Sequence, residues 1–418
     1  MFPMRVLVIV PHYPPEIGSA AHLYHDLARR LAARGHRVGV LTSYPRDYNV
    51  AGEGSPVLQY EVSEGVEIYR CNIDSKRDNI ILRGMEHFLM PLKFYGRFLA
   101  IRKRYDVSLI YVPPLPLALL GMVISRVHGM PVVANFQDFH PQELIEGGLM
   151  KEGAMVRFYE WMEKVAYRGS DHISVLSEGG VAYIKAKSAR EEGITHIYNS
   201  VDITEIDRYR NKKDFKERNG FGSSFLISYL GILSPFQGLD ILLDAAKKMN
   251  DRDVVFLIAG DGLQRQGLLE RIERESIGNV RMMEMQPRDE YYNILNSSDL
   301  ALIVLDQRMK APLIPGKTVN IMACGKPVLA IVPEESETAR VITVAECGLV
   351  SEPSDIEDIV KNLLLLKNDP HMRERMGRNG REFVENNMDL DKNLQRYEEI
   401  FNEGLKRRGL VDPGRARD

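Results

Sequence analysis

The chain has 418 residues, a formal net charge of −3, 44% hydrophobic and 27% charged residues. This length exceeds what one hydrophobic core usually serves, so we expect two or three domains. The composition is that of a soluble globular protein, and the slightly acidic balance argues against a dedicated nucleic-acid binder.

Strand and helix patterns alternate through the first half of the chain. The apolar run RVLVIVP at the start predicts a buried strand rather than a secretion signal, and the helical pattern after it ends near Gly35. Further strands are predicted at 38–43, 106–112, 130–136 and 172–176. This β-α-β rhythm predicts an α/β fold with a doubly wound parallel sheet.

The rhythm pauses after residue 198 and then restarts. A charged stretch at 207–218 reads as a linker, and a second set of strands is predicted at 225–230, 254–259, 280–283 and 300–305. We therefore expect an N-terminal domain at 1–200, a C-terminal domain at 201–385, and a helix with a frayed basic tail at 386–418 that crosses back toward the N-terminal domain. The longest apolar stretch, 115–125, is too short to span a bilayer.

The three cysteines, Cys71, Cys324 and Cys347, are odd in number and far apart in sequence. That usage favours free, buried thiols in a reducing cytoplasm over a disulfide framework.

Two loops have the composition of anion-binding turns. Gly18 and Ser19 follow the first strand and open the first helix, where free amides and the helix dipole can hold a phosphate. The alternative is an ordinary turn with Ser19 as the helix cap. Gly260 lies in the similar turn Ala-Gly-Asp-Gly, for which a purely structural role is favoured.

The segment PLIPGKTVNIMACGKPVLA, residues 312–330, places Lys317 just before an apolar helical run and a buried strand. It resembles the donor-binding segment of the retaining GT-B glycosyltransferases of family 4, Glu-x7-Glu-Ala-Met-Ala-x-Gly-x-Pro-Val. The match is strong from Met322 onward. The two glutamates of the family fall on Pro312 and Asn320 in this chain.

A second segment, LGILSPFQGLDILLDAA at 230–246, keeps the glycine framework of the family's second-domain opening. The two cations that grip the diphosphate in relatives are replaced by Ile232 and Gln237. A Gln-Gly pair here is similar to the branch of surface-polysaccharide transferases of the WcaI and WbuB type. An unpaired dianion is costly to bury, so a countercharge must come from elsewhere.

Lys317 is our candidate for that countercharge, with Lys326 second; a solvated surface lysine is the alternative reading. Asn320 can still accept hydrogen bonds from ribose hydroxyls, because an amide both accepts and donates. The resemblance implies a nucleotide-sugar site made of Gly18, Ser19, Gln137, Gly231, Gln237, Gly260, Gln286, Lys317, Thr318 and Asn320.

The segment NFQDFHPQELIEGG at 135–148 follows an apolar strand. Its Gln137 stands where relatives carry a histidine near the reacting sugar carbon. We expect Asp138 to orient an acceptor hydroxyl or take its proton, and His140 to act as an acid or base or to bind phosphate. In this interpretation the catalytic groups are Asp138, His140 and Lys317. The alternatives are that Asp138 caps a helix and that His140 only packs.

No metal site is expected. Two Asp-x-Asp pairs, Asp251 with Asp253 and Asp389 with Asp391, do not follow strands into a plausible site. GT-B enzymes generally work without metal, so we expect no cofactor, and the nucleotide sugar is a substrate.

Residues 76–104 hold eight basic residues and two acidic ones. Apolar positions recur there at steps of four and three, at Ile81, Met85, Phe88, Leu92, Tyr95 and Leu99. Such a basic, aromatic, amphipathic segment suits a membrane surface. The alternative is a helix pair that packs in the core.

The resemblance covers essentially the whole chain. It implies two Rossmann-like domains facing across a cleft, and transfer of a hexose or N-acetylhexosamine, most simply from UDP, to a glycan or polyprenyl-linked glycan. The location would be cytoplasmic, with peripheral attachment to the inner face of the membrane as an option. Rival functions are a same-fold UDP-N-acetylglucosamine 2-epimerase, a catalytically silent partner that binds nucleotide or lipid, and, with least support, an NAD-dependent oxidoreductase, since no GxGxxG opens either sheet.

Overall fold

The protein is described by a computed structural model that covers residues 3–16, 18–45, 57–73 and 80–410. It divides into two compact units. The first unit comprises Met1–Pro141, Gly153–Tyr198 and Leu390–Asp418, and the second comprises Gln142–Glu152 and Asn199–Asp389.

The strands and helices alternate along both units. The strands are β1 Arg5–Ile9, β2 Arg37–Ser43, β3 Tyr60–Ser63, β4 Val66–Cys71, β5 Val107–Val112, β6 Val132–Phe136, β7 His172–Val175, β8 Ile194–His196, β9 Phe225–Leu230, β10 Val254–Ala259, β11 Val280–Met283, β12 Leu300–Val304, β13 Val328–Ile331 and β14 Gly348–Ser351. The helices are α1 Ser19–Ala33, α2 Ile80–Ile101, α3 Pro116–His128, α4 Gln142–Glu146, α5 Ala154–Gly169, α6 Glu178–Ser188, α7 Ile203–Tyr209, α8 Phe215–Arg218, α9 Asp240–Met249, α10 Arg265–Arg274, α11 Arg288–Ser297, α12 Lys317–Ala323, α13 Glu337–Val344, α14 Ile356–Asn368, α15 Pro370–Asn387 and α16 Leu390–Arg407.

The first unit is built on one sheet of order β3-β4-β2-β1-β5-β6-β7-β8. All of its pairs are parallel except β3 with β4. The register of β1 sets Val8 beside Val40 of β2 and beside Leu109 of β5. These strands read as continuous apolar runs because both faces of a doubly wound sheet are covered.

The second unit is built on a parallel sheet of order β11-β10-β9-β12-β13-β14. In chain order within the unit this is 3-2-1-4-5-6, the order of a dinucleotide-binding doubly wound fold. The strand order reverses between β9 and β12, and ligands of such folds bind at the carboxyl ends of the strands at that point. The predicted pair of doubly wound α/β domains is confirmed.

The core of the first unit draws on the far end of the chain. Helix α16 places Leu394, Tyr397 and Phe401 in one cluster with Val8 of β1 and Val40 of β2. The chain therefore leaves the first unit, forms almost all of the second, and returns to complete the first. The observed boundaries, Tyr198/Asn199 and Asp389/Leu390, lie two and four residues from the expected ones at 200 and 385.

Two features differ from the sequence prediction. The hairpin of β3 and β4 gives the first sheet an antiparallel edge, where only parallel strands were expected. The segment Gln142–Glu152 belongs to the second unit although it lies inside the expected 1–200 domain.

The three cysteines are free thiols. No helix of the described ranges is long and apolar enough to cross a bilayer.

Candidate active site

The turn after β9 lies at the switch point of the second sheet. Gly231 follows Leu230 and has a backbone φ of +139°. Residues other than glycine rarely adopt this conformation. Its amide donates to the carbonyl of Ala259 at the end of β10. The backbone at the end of β9 is thus tied to the neighbouring strand, and Gly231 adds no side chain of its own at this point.

The turn after β10 packs directly on this one. A Cβ on Gly260 would lie 1.8 Å from the Gly231 carbonyl oxygen, and one on Gly262 would lie 2.4 Å from the Leu233 carbonyl oxygen. Only glycine permits this approach of two backbones. Gly260, expected as a ligand contact, therefore has at least a packing role.

Lys317 is the first residue of α12 and its side chain passes over Gly231. A Cβ on Gly231 would meet the Lys317 Nζ at 3.1 Å. The Nζ lies 3.5 Å from the centroid of the Tyr229 ring, is inaccessible to solvent and has no hydrogen-bond partner. Burial lowers the pKa of Lys317 to about 7. A buried ammonium without an acceptor is costly, so this arrangement calls for an anion.

Helix α12 is held in place from its other end. A Cβ on Gly377 of α15 would lie 2.1 Å from the carbonyl oxygen of Gly325, so α15 packs backbone to backbone against the turn after α12. Arg381, also of α15, donates to the carbonyl of Ala323 at 2.9 Å. The position of Lys317 is thus set by a rigid element rather than by a loose loop.

Thr318 and Asn320, which follow Lys317 on α12, carry further polar groups. Thr318 is fully buried and its Oγ1 has no hydrogen-bond partner. Asn320 accepts at Oδ1 from the Tyr292 hydroxyl at 3.3 Å. The Tyr292 ring stacks on Tyr209, with 4.9 Å between ring centroids. Asn320 also has a side-chain hydrogen bond with Tyr291, so its amide is oriented by tyrosines.

Gln237 and Gln286 are used partly by their own loops. The Gln237 Oε1 accepts from the Ser234 amide at 3.0 Å and from the Ser234 Oγ at 2.5 Å. This leaves the Gln237 Nε2 as the group that could donate to a ligand. The Gln286 Nε2 donates to the Glu284 carbonyl at 3.0 Å.

Lys326, the second candidate countercharge, has a structural role. Its Nζ donates to the carbonyls of Asn296 at 2.6 Å and Ser298 at 3.0 Å, at the end of α11. Two of the three N–H donors of this ammonium are therefore used within the fold, so Lys326 is a weaker candidate countercharge than Lys317.

In each Asp-x-Asp pair, an aspartate makes hydrogen bonds or ion pairs within the fold. Asp251 accepts from the amide of Asp253 and from Lys367. Asp391 pairs with Arg30 at 3.0 Å.

In the first unit, Gly18 and Ser19 begin α1 at the carboxyl edge of the sheet. Gly18 is extended, and a Cβ there would meet nothing within 4 Å. Ser19 is exposed and is the first helical residue, and the helix start has no side-chain cap. The alternative in which Ser19 caps α1 is therefore excluded. Packing does not require glycine at 18, and the space above this backbone is open.

Gln137 follows β6 and joins a buried polar network. Its Nε2 donates to the Asn135 Oδ1 at 2.5 Å, which also accepts from the Tyr24 hydroxyl at 2.7 Å. The Asn135 Nδ2 donates to the Ser174 Oγ at 2.8 Å and to the Tyr397 hydroxyl at 3.1 Å. Gln137 is thus a buried, oriented amide rather than a mobile surface group.

Asp138 and His140 lie close together just after Gln137. A carboxylate oxygen of Asp138 and a ring nitrogen of His140 are within 4.8 Å of each other. Burial raises the pKa of Asp138 to about 6. Burial, with a further contribution from His87, lowers the pKa of His140 to about 4. At neutral pH the pair is a carboxylate beside a neutral imidazole, which can accept hydrogen bonds or a proton.

The structure thus brings some predicted residues together and not others. Gly231, Lys317 and Thr318 form one locus in the second unit, and Gln137, Asp138 and His140 form another in the first. Sequence reasoning missed Tyr229, which lies under the Lys317 ammonium, and Asn135, which orients Gln137. Both residues lie near the carboxyl ends of apolar strands. A polar or aromatic residue at such a position is the one sequence signal that could have indicated them.

Two doubly wound domains are the architecture of the GT-B fold, and proteins of that fold superpose on this chain. Residues 18–200 match the glycosyl transferase 4-like domain, and residues 211–383 match the glycosyl transferases group 1 model. The chain belongs to this glycosyltransferase family.

Three similar proteins illustrate the relationship. WcaI of Escherichia coli (strain K12), a glycosyl transferase named for colanic acid biosynthesis, is 23% identical over 393 residues, which are 89% of this chain and 95% of WcaI. A UDP-Gal:alpha-D-GlcNAc-diphosphoundecaprenol alpha-1,3-galactosyltransferase of Escherichia coli is 23% identical over 72% of this chain and 76% of its own. The crystal structure of Anabaena HepE in complex with UDP-glucose superposes with a TM-score of 0.70 at 18% identity, covering 96% of this chain and all of that one.

Proposed function

We propose that this protein is a retaining glycosyltransferase that moves a sugar from a nucleotide diphosphate, in the first place UDP, to a hydroxyl of a glycan or lipid-linked glycan. The sugar would be a hexose or an N-acetylhexosamine. UDP is favoured because a similar fold holds UDP-glucose and because a relative is named for a UDP-galactose donor.

The unpartnered ammonium of Lys317 carries this proposal. A departing nucleoside diphosphate develops negative charge, and a preorganised cation in a site without water stabilises that charge strongly. Lys317 enters from α12, whereas the family's usual cations would stand at Ile232 and Gln237. We therefore assign the countercharge to Lys317 of α12 instead of to the loop after β9. The Gln237 Nε2 and the Thr318 hydroxyl would donate neutral hydrogen bonds to the diphosphate.

The ribose and base contacts follow from the neighbouring residues. Asn320, oriented by Tyr292, would bind the ribose hydroxyls, and the backbone beside Gln286 would contact the base. The amides of Gly18 and Ser19 would add donors to the diphosphate, because the space above them is open.

The first unit would supply the groups that handle the acceptor. Asp138, ionised at neutral pH, would accept a hydrogen bond from the attacking hydroxyl. Asp138 is the stronger base of the pair and would take up the proton, whereas neutral His140 would hold the hydroxyl by a hydrogen bond. Gln137 would contact the donor sugar. Retention would follow because the hydroxyl attacks the oxocarbenium-like sugar on the same face from which the diphosphate departs.

Thermal stabilisation by UDP, GDP, ADP and UDP-sugars tests the donor site. A ligand at a hundredfold its dissociation constant adds about 2.7 kcal/mol, which for a domain of about 200 residues corresponds to a rise in Tm of about 5–11 °C. We expect UDP or a UDP-sugar to raise the Tm of the wild type and to have no effect on Lys317→Met.

Lys326→Met is the matched control. It removes an ammonium that bonds two carbonyls, so it should lower the Tm by leaving these groups unsatisfied, yet keep the nucleotide-induced rise. No rise with any nucleotide would contradict the proposal and favour the catalytically silent partner. Once a product is found, an inverted anomeric configuration by NMR would contradict retention.

A further inference from the structure

The helix α2 is apolar on two sides, and one of them faces outward. Its buried side consists of Met90, Phe94, Phe98 and Ile101. The periodic positions that the sequence pattern singles out as an amphipathic stripe include Met85, Phe88, Leu92 and Leu99, and these four are exposed. Leu92, for example, is 68% exposed. Core packing therefore does not explain this stripe; Ile81 lies among the positions whose side chains are not described.

Helix α5 adds a second apolar stripe. Met155, Phe158 and Trp161 recur at steps of three along α5 and are all exposed, Trp161 by 58%. Between them lie the buried residues Val156, Tyr159 and Met162, which anchor the other side of the helix. The sequence pattern of residues 76–104 gave no indication that α5 takes part.

The two stripes are in contact. The ring centroid of Phe88 on α2 lies 6.1 Å from that of Phe158 and 6.2 Å from that of Tyr159 on α5. Phe158 in turn stacks on Trp161, with 5.9 Å between the ring centroids. Met85, Phe88 and Leu92 of α2 and Met155, Phe158 and Trp161 of α5 form a two-helix surface. A contiguous apolar surface of this kind marks an interaction site.

The charges around the two-helix surface are predominantly basic, although Glu152 before α5 is exposed and Glu160 of α5 is half-buried. Residues 85–104 contain five basic side chains and one acidic side chain, Glu86, which is buried. On α5, Arg157 and Lys164 are exposed, whereas Glu163 is buried and pairs with Lys187 at 3.2 Å. The whole chain has a net charge of −3, so this region departs from the rest of the molecule.

The same helix reaches the expected acceptor groups. His87 follows Glu86 on α2 and lies close enough to His140 for its charge to act on that ring. The apolar stripe at Met85 and Phe88 therefore lies on the same helix as a side chain that interacts with His140.

We propose that the two-helix surface docks the protein on an anionic lipid membrane. Exposed aromatic and aliphatic side chains enter the headgroup boundary, Trp161 sits at the interface, and the basic side chains pair with lipid phosphates. A second copy of the chain is the rival occupant, but two surfaces with the same basic rim would repel each other. That the membrane also presents a lipid-linked acceptor near His140 rests on the proposed function; the docking itself does not.

Trp161 makes the test direct, because it is the single tryptophan of the chain. The full-length protein is titrated with vesicles of phosphatidylglycerol and phosphatidylethanolamine, and with vesicles of phosphatidylcholine alone. We expect a blue shift of tryptophan emission and co-flotation with the anionic vesicles, both reduced by salt.

Two double variants probe the two forces. Leu92→Ser with Phe158→Ser should weaken vesicle binding about tenfold or more for each side chain removed. Arg157→Ser with Lys164→Ser should weaken it about fivefold for each cation removed. Matched controls are Val344→Ser, an apolar residue of α13 that is 63% exposed, and Lys361→Ser of α14, both outside the surface.

The outcomes separate cleanly. No emission shift with anionic vesicles, or equal binding by the Leu92/Phe158 variant and the wild type, would overturn the proposal. Equal binding to phosphatidylcholine would overturn the choice of an anionic lipid. A dimer that the Leu92/Phe158 variant dissociates, without vesicle binding, would assign the surface to a second copy. Nucleotide-induced stabilisation is measured on the same proteins, so failure of the donor site is seen separately from failure of docking.

Discussion

At the scale of single residues, the central feature is a lysine held without an acceptor. The Lys317 ammonium lies over the Tyr229 ring, which offsets part of the desolvation cost but does not remove it. An arriving diphosphate would supply the missing partner. The protonation state of one side chain is thereby coupled to ligand binding.

This coupling predicts a pH dependence of donor affinity. The pKa of Lys317 in the free protein is about 7, and bound diphosphate would raise it. Above about pH 7 each binding event must take up a proton, so the affinity for a UDP-sugar should fall as pH rises, by at most about tenfold per pH unit. Calorimetric titrations from about pH 6 to about pH 9, in buffers of different ionisation enthalpy, would measure both effects.

Lys317→Arg is the control for this dependence, since guanidinium stays charged over the range. A wild-type affinity that does not change with pH would contradict the prediction.

The lowered pKa of Lys317 also has a consequence for the pH dependence of folding stability. Between about pH 7 and the ordinary lysine pKa the unfolded chain binds the proton and the folded one does not, so stability should rise with pH, and Lys317→Met should abolish this contribution.

Sequence patterns identify candidate residues where the signal is local. Lys317 precedes an apolar helical run and stays the predicted countercharge. The structural role of Lys326 could not be predicted, because the carbonyls that it binds, of Asn296 and Ser298, come from the end of another helix nearly thirty positions earlier in the chain. Nothing in the sequence around Lys326 indicates them.

At the scale of elements, the second unit depends on the approach of two turns. The turns after β9 and β10 meet at Gly231 and Gly260 without intervening side chains. Their geometry leaves the Gly231 backbone directly beneath the Lys317 side chain. Displacing one turn should therefore disturb both folding and the donor site.

We expect Gly260→Ala to destabilise the second unit. Its Cβ would lie 1.8 Å from a backbone oxygen that cannot rotate away, so the cost should reach about 1–3 kcal/mol or more. Gly18→Ala is the matched control, because a Cβ at Gly18 meets nothing within 4 Å. Urea denaturation of both variants checks this; equal midpoints would contradict it.

Two elements show where periodicity stops being informative. The exposed stripe and the buried side of α2 are both apolar, and a pattern cannot say which of two apolar sides faces inward. The antiparallel hairpin of β3 and β4 was missed because β3 has only four residues and is mostly exposed, so it carries no buried apolar run. Both outcomes depend on tertiary contacts, which single-chain patterns do not carry.

At the scale of the whole molecule, the chain leaves its first unit and returns to it. Phe401 of α16 is fully buried in the cluster that contains Val8 and Val40. Phe401→Ala should destabilise the first unit by about 3–5 kcal/mol, because it opens a cavity in that core. Phe401→Leu keeps most of the volume and should cost clearly less.

Urea unfolding followed by hydrogen exchange would show which unit responds to Phe401→Ala. Loss of protection in β1 and β2 with protection retained in β9 and β10 is the expected pattern. Uniform loss across both sheets would contradict the assignment of α16 to the first unit's core.

Two-domain architecture was predictable because β-α-β alternation pauses and restarts in the sequence. The excursion of Gln142–Glu152 into the second unit was not, because this short segment carries no boundary signal of its own. Its membership is decided by contacts made with residues far away in the chain.

The return of α16 also orders events during synthesis. The ribosome delivers the chain from its N-terminus, and domains generally fold as units while it does so. The second unit has nearly all of its residues once Asp389 has emerged, whereas the first unit still lacks Leu394, Tyr397 and Phe401 at that moment. The domain that is made first is thus the one that must wait to close its core, and its sheet needs protection from premature association until the last helix arrives.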